Sequence, residues 1–198
     1  MGDLANGTTS FPSPITRGAS WDVELERAIT AAVGDEVRGV FELRGFGAKS
    51  CNGPPGCNIW RDPRWGRAYE SYSESPFLVA RLAEAAVVGL QHGAVGEPTT
   101  KYLKAAAGAR HLGVYSMECS VDPSLPPGVN NSNVYPHCGV DRSGFNANVD
   151  DVDLHETYMV GYRAAVAAGV STVMCSTNSF RGVPACASGG LLNRLLNA

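Results

Sequence analysis

The sequence has no long hydrophobic run. Its longest apolar stretches, Ala85–Leu90 and Ala164–Met174, fall well short of the roughly 18 residues that span a bilayer, so no membrane partner is expected. Excess positive charge is missing too. With 16 Lys and Arg against 19 Asp and Glu, the net charge is -3; without a basic field to hold a phosphate backbone, no nucleic acid partner is expected. The first residues, Met1-Gly2-Asp3-Leu4-Ala5-Asn6, show neither the basic flank nor the apolar core of a secretory signal peptide. There is no internal repeat and no CxxC pair, so a zinc site is weakly supported. What remains is ordinary globular material: 198 residues, 44% apolar and 18% charged, enough for one domain with a sizeable core.

Six cysteines, Cys51, Cys57, Cys119, Cys138, Cys175 and Cys186, form an even set in a loop-rich chain. Disulfides are permitted, with Cys51/Cys57 and Cys175/Cys186 closing the shortest loops; buried free thiols fit equally well. Asn6-Gly7-Thr8 and Asn130-Asn131-Ser132 match the glycosylation sequon, a common triplet.

Periodicity supplies the elements. Val23, Leu25, Ile29, Ala32, Val33, Val37 and Val40 make one apolar stripe opposite Glu24, Glu26, Asp35 and Glu36, predicting a helix from about Trp21 to Leu43, with Gly34 a weak point. A turn-rich stretch from Gly45 to Pro63 contains a short apolar piece, Cys57–Trp60, and runs into a basic loop, Arg61–Arg67. Ser75 followed by Pro76 reads as an N-cap with proline at the first helical position, opening a second helix to Gln91. Ala105–Ala109 suits a buried strand, and Ser116 to Asn148 a long loop of the kind usually kept for function. A third helix starts near Asp151 or Asp153, whose charge suits the helix dipole. It carries Leu154, Tyr158, Tyr162 and Val166 at steps of four and ends at Gly169. Val170–Cys175 reads as a buried strand, and a last helix starts near Leu191. Alternating helix, strand and functional loop argue for an α/β fold with parallel strands.

The chemically densest segment is Asn58–Pro76, with three arginines, two tryptophans and three carboxylates in nineteen residues. Guanidinium groups offer fixed donors to hydroxyls and carboxylates, and an indole offers a flat apolar face to the C–H side of a sugar ring. Such a loop suits sugar recognition; it equally suits an internal salt-bridge loop tying strand to helix.

That segment, Arg61-Asp62-Pro63-Arg64-Trp65-Gly66-Arg67 with Glu70 and Glu74-Ser75-Pro76, resembles the signature of family 3 glycoside hydrolases. Three further stretches resemble the same family in the same order. They are Thr9-Ser10-Phe11-Pro12 with the helix from Trp21, Asp141–Ala147 through Asp153–Tyr158, and Val173–Asn178 with Gly182–Cys186. The cysteines of the last stretch resemble the plant and fungal β-xylosidase and β-glucosidase branch.

The resemblance implies a (β/α)8 TIM-barrel-like fold, incomplete over residues 1–198, since a full barrel takes about 250 residues. It implies a retaining glycosidase acting on terminal β-glucosides or β-xylosides without metal or organic cofactor, in an extracellular, secreted setting. The implied substrate-binding residues are Arg67, Arg110 and His111 (the last two where the family has a Lys-His pair), together with Met174 and Thr177. Tyr115 fits the family's aromatic beyond that pair. Arg110 stands for lysine, Thr177 for a tyrosine and Arg181 for an asparagine, departures that bear on sugar affinity. The resemblance places the aspartate nucleophile beyond Ala198 and the general acid/base later still, so no catalytic residue is assigned within the chain. Glu70, Glu74, Glu118, Asp122 and Asp153 are the remaining carboxylates weighed, each with a reading as ion-pair partner or helix cap. The alternatives are a non-catalytic carbohydrate-binding paralogue and an inactive truncated product. The unclosed sheet implies marginal stability for the isolated chain.

Overall fold

Two long helices cross at glycines. In the computed structural model, which describes residues 7–44, 50–51, 54–63, 65–97, 101–118 and 142–196, a short helix α1 (Pro14–Gly18) leads into α2 (Val23–Arg44). The Asp22 carboxylate caps α2, accepting from Leu25 N at 2.9 Å. Gly34 does not interrupt α2; it lets the backbone of α3 (Pro76–His92) approach, since a Cβ there would sit 2.6 Å from Leu90 O. Ser75 caps α3 by accepting from Leu78 N at 3.4 Å, with Pro76 first in the helix, as the sequence predicts.

α3 is the spine of the core. Leu82, Ala83, Ala86, Val87 and Leu90 are fully buried, each Leu or Val stabilising by about 1.5–3 kcal/mol. On one side α3 meets α2; on the other it meets α5 (Val160–Ala167) and strand β2 (Ala106–Leu112). The small residues Ala107 and Ala109 let helix and strand pack closely. Buried Gln91, at the end of α3, fixes the strands: its Oε1 accepts from Ala107 N at 3.2 Å and Ser171 N at 3.0 Å, and its Nε2 donates to Gly169 O at 3.0 Å.

β1 (Ser50–Cys51), β2 and β4 (Thr172–Cys175) form a three-stranded parallel sheet in the order β1-β2-β4. The α/β class with parallel strands is therefore observed. A second small sheet joins β3 (Asn146–Ala147), β5 (Ser179–Phe180) and β6 (Val183–Pro184). α6 (Gly189–Leu196) follows, and among the described residues no helix is long and apolar enough to cross a membrane.

Two expectations are corrected. The helix predicted from Asp151 to Gly169 is not one regular helix. A turn of α-helix, α4 (Asp151–Asp153), passes into a π-helical stretch (Leu154–Tyr158) and then α5. Met159 N donates to Leu154 O at 2.9 Å, a five-residue step, and Leu154 and Met159 are the residues it brings onto the buried face. The end at Gly169 holds: Gly169 takes φ 78°, Val170 N bonds Ala165 O and Gly169 N bonds Val166 O, a Schellman motif. Second, β4 is not buried. Thr172, Val173 and Met174 are exposed, because among the described residues β4 has a strand on one side only. Of the cysteine readings left open, Cys57 is a buried free thiol, so it has no bridge to Cys51, whereas Cys175 and Cys186 are bonded with Cα atoms 5.3 Å apart. The loop expected from Ser116 to Asn148 lies mostly outside the described residues, as do Cys119, Cys138, Asp122 and the sequon asparagines Asn6 and Asn130.

Candidate functional site

The basic loop leaves the Cys57–Trp60 piece, which runs beside β2: Cys57 N donates to Arg110 O at 2.9 Å, and Gly56 bridges Arg110 in parallel. Asn58 is the joint. Its side chain donates from Nδ2 to His111 O at 3.0 Å and accepts from His111 N at 2.7 Å, holding both faces of one residue's backbone. Within the loop, Trp65 turns inward and stacks edge-on against Tyr115, ring centroids 5.7 Å apart, over Ala68. That packing turns a short 3₁₀ segment (Ala68–Glu70) so that Arg67 and Glu70 face β2.

Arg67, Arg110 and His111 thereby converge. Together with Gly56, Asn58 and Glu70 they border one crevice. Glu70 stands at its centre, taking two hydrogen bonds from Arg67 at 2.7 Å each and one from Arg110 Nη2 at 2.8 Å. Burial alone would raise the Glu70 carboxyl, but the hydrogen bonds from Arg67 and the charge of Arg110 outweigh it and hold the group below the usual carboxylate range. The same hydrogen bonds raise Arg67.

His111 is kept neutral. Burial, reinforced by the positive charges of Arg67 and Arg110, pushes its imidazole down to about 3. Its Nδ1 faces the acceptor Asn58 Oδ1 at 3.4 Å, so the neutral ring leaves Nε2 to accept from a hydroxyl-bearing ligand while adding no charge. The Tyr115 ring closes this side, 5.1 Å from the His111 ring and 5.7 Å from the Arg67 guanidinium.

None of the other expected positions borders this crevice. Met174 is in register with Arg110 on the neighbouring strand, so both project to the same face of the sheet. Thr177, just past β4, is exposed and does not border the crevice. Arg181 is spent elsewhere, donating to Val149 O at 2.7 Å and 3.1 Å and to Asp151 Oδ1 at 2.9 Å. Glu118 pairs with Arg142 at 3.0 Å; burial raises its carboxyl, against the opposing pull of Arg142. Glu74 is exposed, and Asp153 lies in α4 with its backbone N–H bonded to Asp150 Oδ1 at 2.8 Å. Among the described residues no group of three or more His, Cys, Asp or Glu is placed to hold a metal ion. Sequence reasoning missed Asn58. A polar side chain inside the apolar Cys57–Trp60 piece was the available signal, because a buried amide needs partners.

The crevice itself encloses only about 10 Å³, roughly the space of one water molecule. The three side chains therefore form a wall against which a ligand can lie, not a closed pocket.

The profile of the "Glycosyl hydrolase family 3 N terminal domain" matches residues 1–123. The chain is 38% identical over 197 residues to Beta-D-xylosidase 1 of Arabidopsis thaliana, covering 99% of this chain and 22% of that protein. It is 34% identical over 194 residues to Beta-xylosidase/alpha-L-arabinofuranosidase 1 of Medicago sativa subsp. varia, with coverage of 98% and 22%. A GH3 exo-beta-xylosidase solved with a xylobiose aziridine probe superposes with a TM-score of 0.76 at 32% identity, over 96% of this chain and 22% of that one. The beta-glucosidase from Listeria innocua solved with glucose superposes at 0.69 and 26%, with the same coverage. The chain thus spans about a fifth of the length of the curated relatives it matches. By its profile match and these likenesses, the chain belongs to glycosyl hydrolase family 3, through that family's N-terminal domain.

Proposed function

We propose that residues 1–198 are part of one (β/α)8 barrel and supply the sugar-holding wall of a retaining β-xylosidase or β-glucosidase. One observation carries this reading: Arg67, Arg110 and His111, from two separate segments, meet around Glu70 towards the C-terminal end of β2. That end of the strands is where barrel enzymes build their sites. The guanidinium groups donate to sugar hydroxyls from positions fixed by Glu70. Neutral His111 completes the contact, and Met174 offers an apolar flank from the next strand. Holding the ring in one orientation is what lets a carboxylate attack its anomeric carbon productively.

In the two-step retaining mechanism one carboxylate attacks while a carboxylic acid protonates the leaving oxygen. Water then releases the sugar, the two groups standing about 5–5.5 Å apart. On this reading both stand beyond Ala198. Within the described residues Glu70 is committed to Arg67 and Arg110, which unfits it for either role. The substrate proposed is a terminal β-xyloside or β-glucoside, cleaved outside the cell. The test is hydrolysis of aryl β-xyloside and aryl β-glucoside by the protein at the full length its gene encodes, with Arg67→Ala beside the parent. Turnover by the parent and its loss in the variant support the reading; turnover unchanged in the variant overturns it. A second reading, a sugar binder without hydrolysis, is favoured by Arg110 in place of lysine and by exposed Thr177 in place of tyrosine. Saturable xylose or glucose binding with no turnover selects it.

A further inference from the structure

A groove far roomier than the crevice lies across the Asn58–Arg67 segment, which borders both. It has a volume of about 490 Å³ and is lined by Trp21, Trp60, Arg61, Ser73 and Glu74 over a floor formed by Tyr72. That size falls within the range of roughly 300–1,000 Å³ typical of small-ligand clefts.

Trp21 is its most telling feature. The chain turns from α1 into α2 there, Trp21 N donating to Gly18 O at 3.2 Å, and Trp21 takes a left-handed backbone with φ 58°. Glycine or asparagine would make this turn with little strain, whereas a bulky residue in that region is a genuine outlier. The indole gains little from burial in return, being 71% exposed. Backbone strain that burial does not offset gives reason to look for a ligand against this side chain. Trp60, also lining the groove, is fixed by two contacts: it packs against the Trp65, Ala68 and Tyr115 cluster, and its Nε1 donates to Asp62 O at 3.0 Å.

We propose that this groove is a second carbohydrate site, taking a stretch of β-linked pyranose units. The C–H faces of sugar rings lie against indoles, and hydroxyls find a donor in Arg61 and an acceptor in Glu74. The lining carries one charge of each sign, which suits a neutral polyhydroxylated chain better than an acidic or basic peptide. The inference deepens the glycosidase reading, on which its choice of sugar rests. The crevice at Arg67 and His111 takes the unit to be cleaved, and the groove holds further units of a polymer on the other side of the shared loop.

The test uses the protein at the full length its gene encodes, run by native electrophoresis in gels containing soluble arabinoxylan or mixed-linkage β-glucan. The parent and Arg67→Ala are expected to be retarded alike, because the groove does not use Arg67. In Trp21→Ala the apparent dissociation constant is expected to rise about tenfold, the loss of one aromatic contact. Trp21→Phe should recover part of that loss, and hydrolysis of a small aryl β-xyloside by Trp21→Ala should match the parent. Retardation of Trp21→Ala equal to the parent overturns the proposal, as does a parent that is not retarded. So does an indole at position 21 shielded from acrylamide quenching, which would mean that other parts of the polypeptide fill the groove. Retardation that depends on Trp21 in a protein without aryl-glycosidase activity keeps the groove and overturns the glycosidase reading instead.

Discussion

Arg67 and Glu70 meet fork to fork: Nε reaches Oε1 and Nη2 reaches Oε2, each at 2.7 Å. The second oxygen is shared with Arg110 Nη2 at 2.8 Å, so one carboxylate sets the angle of two guanidinium groups from two segments. Both arginines are partly buried, and without Glu70 they would repel each other across the crevice.

Removing the carboxylate should therefore damage binding as well as folding. Glu70→Gln is expected to lower kcat/KM on aryl β-xyloside at least tenfold while costing about 1–3 kcal/mol of stability, because the amide keeps one acceptor but loses the charge. Steady-state kinetics and urea titration on the same preparation separate the two effects. A Glu70→Gln protein with parental kinetics would show that the arginines hold their places unaided.

His111 gives a pH signature. Its imidazole is held near 3 against an ordinary value of 6.5, by burial first and then by Arg67, Arg110 and Arg142, opposed by Glu70. Between those two values the unfolded chain carries a proton on this ring that the folded chain refuses. Stability from this residue is complete above pH 6.5, is lost as pH falls towards 3, and is level below that. From pH 6.5 to 4 the parent should lose on the order of 1–3 kcal/mol more than His111→Asn. Urea midpoints at four pH values measure it; parallel curves for parent and variant rule it out.

Much of the scaffold could be read from sequence because it depends on local rules. Ser75-Pro76 marks the start of α3 through its cap, the periodicity from Val23 marks α2 but not its buried face, since Glu26 is buried and Leu25 exposed, and Gly169 marks the end of α5 through its left-handed backbone. Burial of a strand obeys no local rule. Val170–Cys175 looks like an interior strand by composition, yet Val173 and Met174 are exposed because burial depends on what packs beside them. The site divides the same way. Family resemblance picks out Arg67, Arg110 and His111, and the fold brings them together. The roles of Glu70 and Asn58 are set by contacts across 40 and 53 residues, which no spacing pattern reveals.

The Cys175–Cys186 bond ties the end of β4 to the turn after β6, closing the β5–β6 hairpin across 11 residues. A loop of that size predicts a loss of about 2–3 kcal/mol on reduction. Thermal unfolding with and without a phosphine reductant, beside the Cys175→Ser, Cys186→Ser double variant, tests this. Reductant should lower the parent's midpoint to that of the double variant and leave the variant unmoved. An equal shift in both would assign the effect to other cysteines.

The crossing of α2 and α3 yields a prediction in which identical substitutions within helices have opposite signs. A Cβ on Gly89 would lie 2.2 Å from Thr30 Oγ1 and 2.4 Å from Arg27 O, and one on Gly34 would lie 2.6 Å from Leu90 O, whereas one on Gly39 would meet nothing within 4 Å. Replacing a helical glycine by alanine ordinarily gains up to about 1 kcal/mol from reduced backbone freedom, so Gly39→Ala should raise the urea midpoint. At Gly89 the colliding atoms include α2 backbone, and Thr30 Oγ1 is itself held by Glu26 O at 2.8 Å, so the helices must separate. Opening that contact strains the packing around buried Val87 and Leu90, and Gly89→Ala should cost about 1–3 kcal/mol or more, with Gly34→Ala close behind. Because α3 carries Gln91, which anchors β2 through Ala107, the Gly89 variant should also weaken sugar binding at His111, while Gly39→Ala leaves it unchanged. Stability gained by Gly89→Ala would mean that the two helices do not cross as closely as their glycines imply.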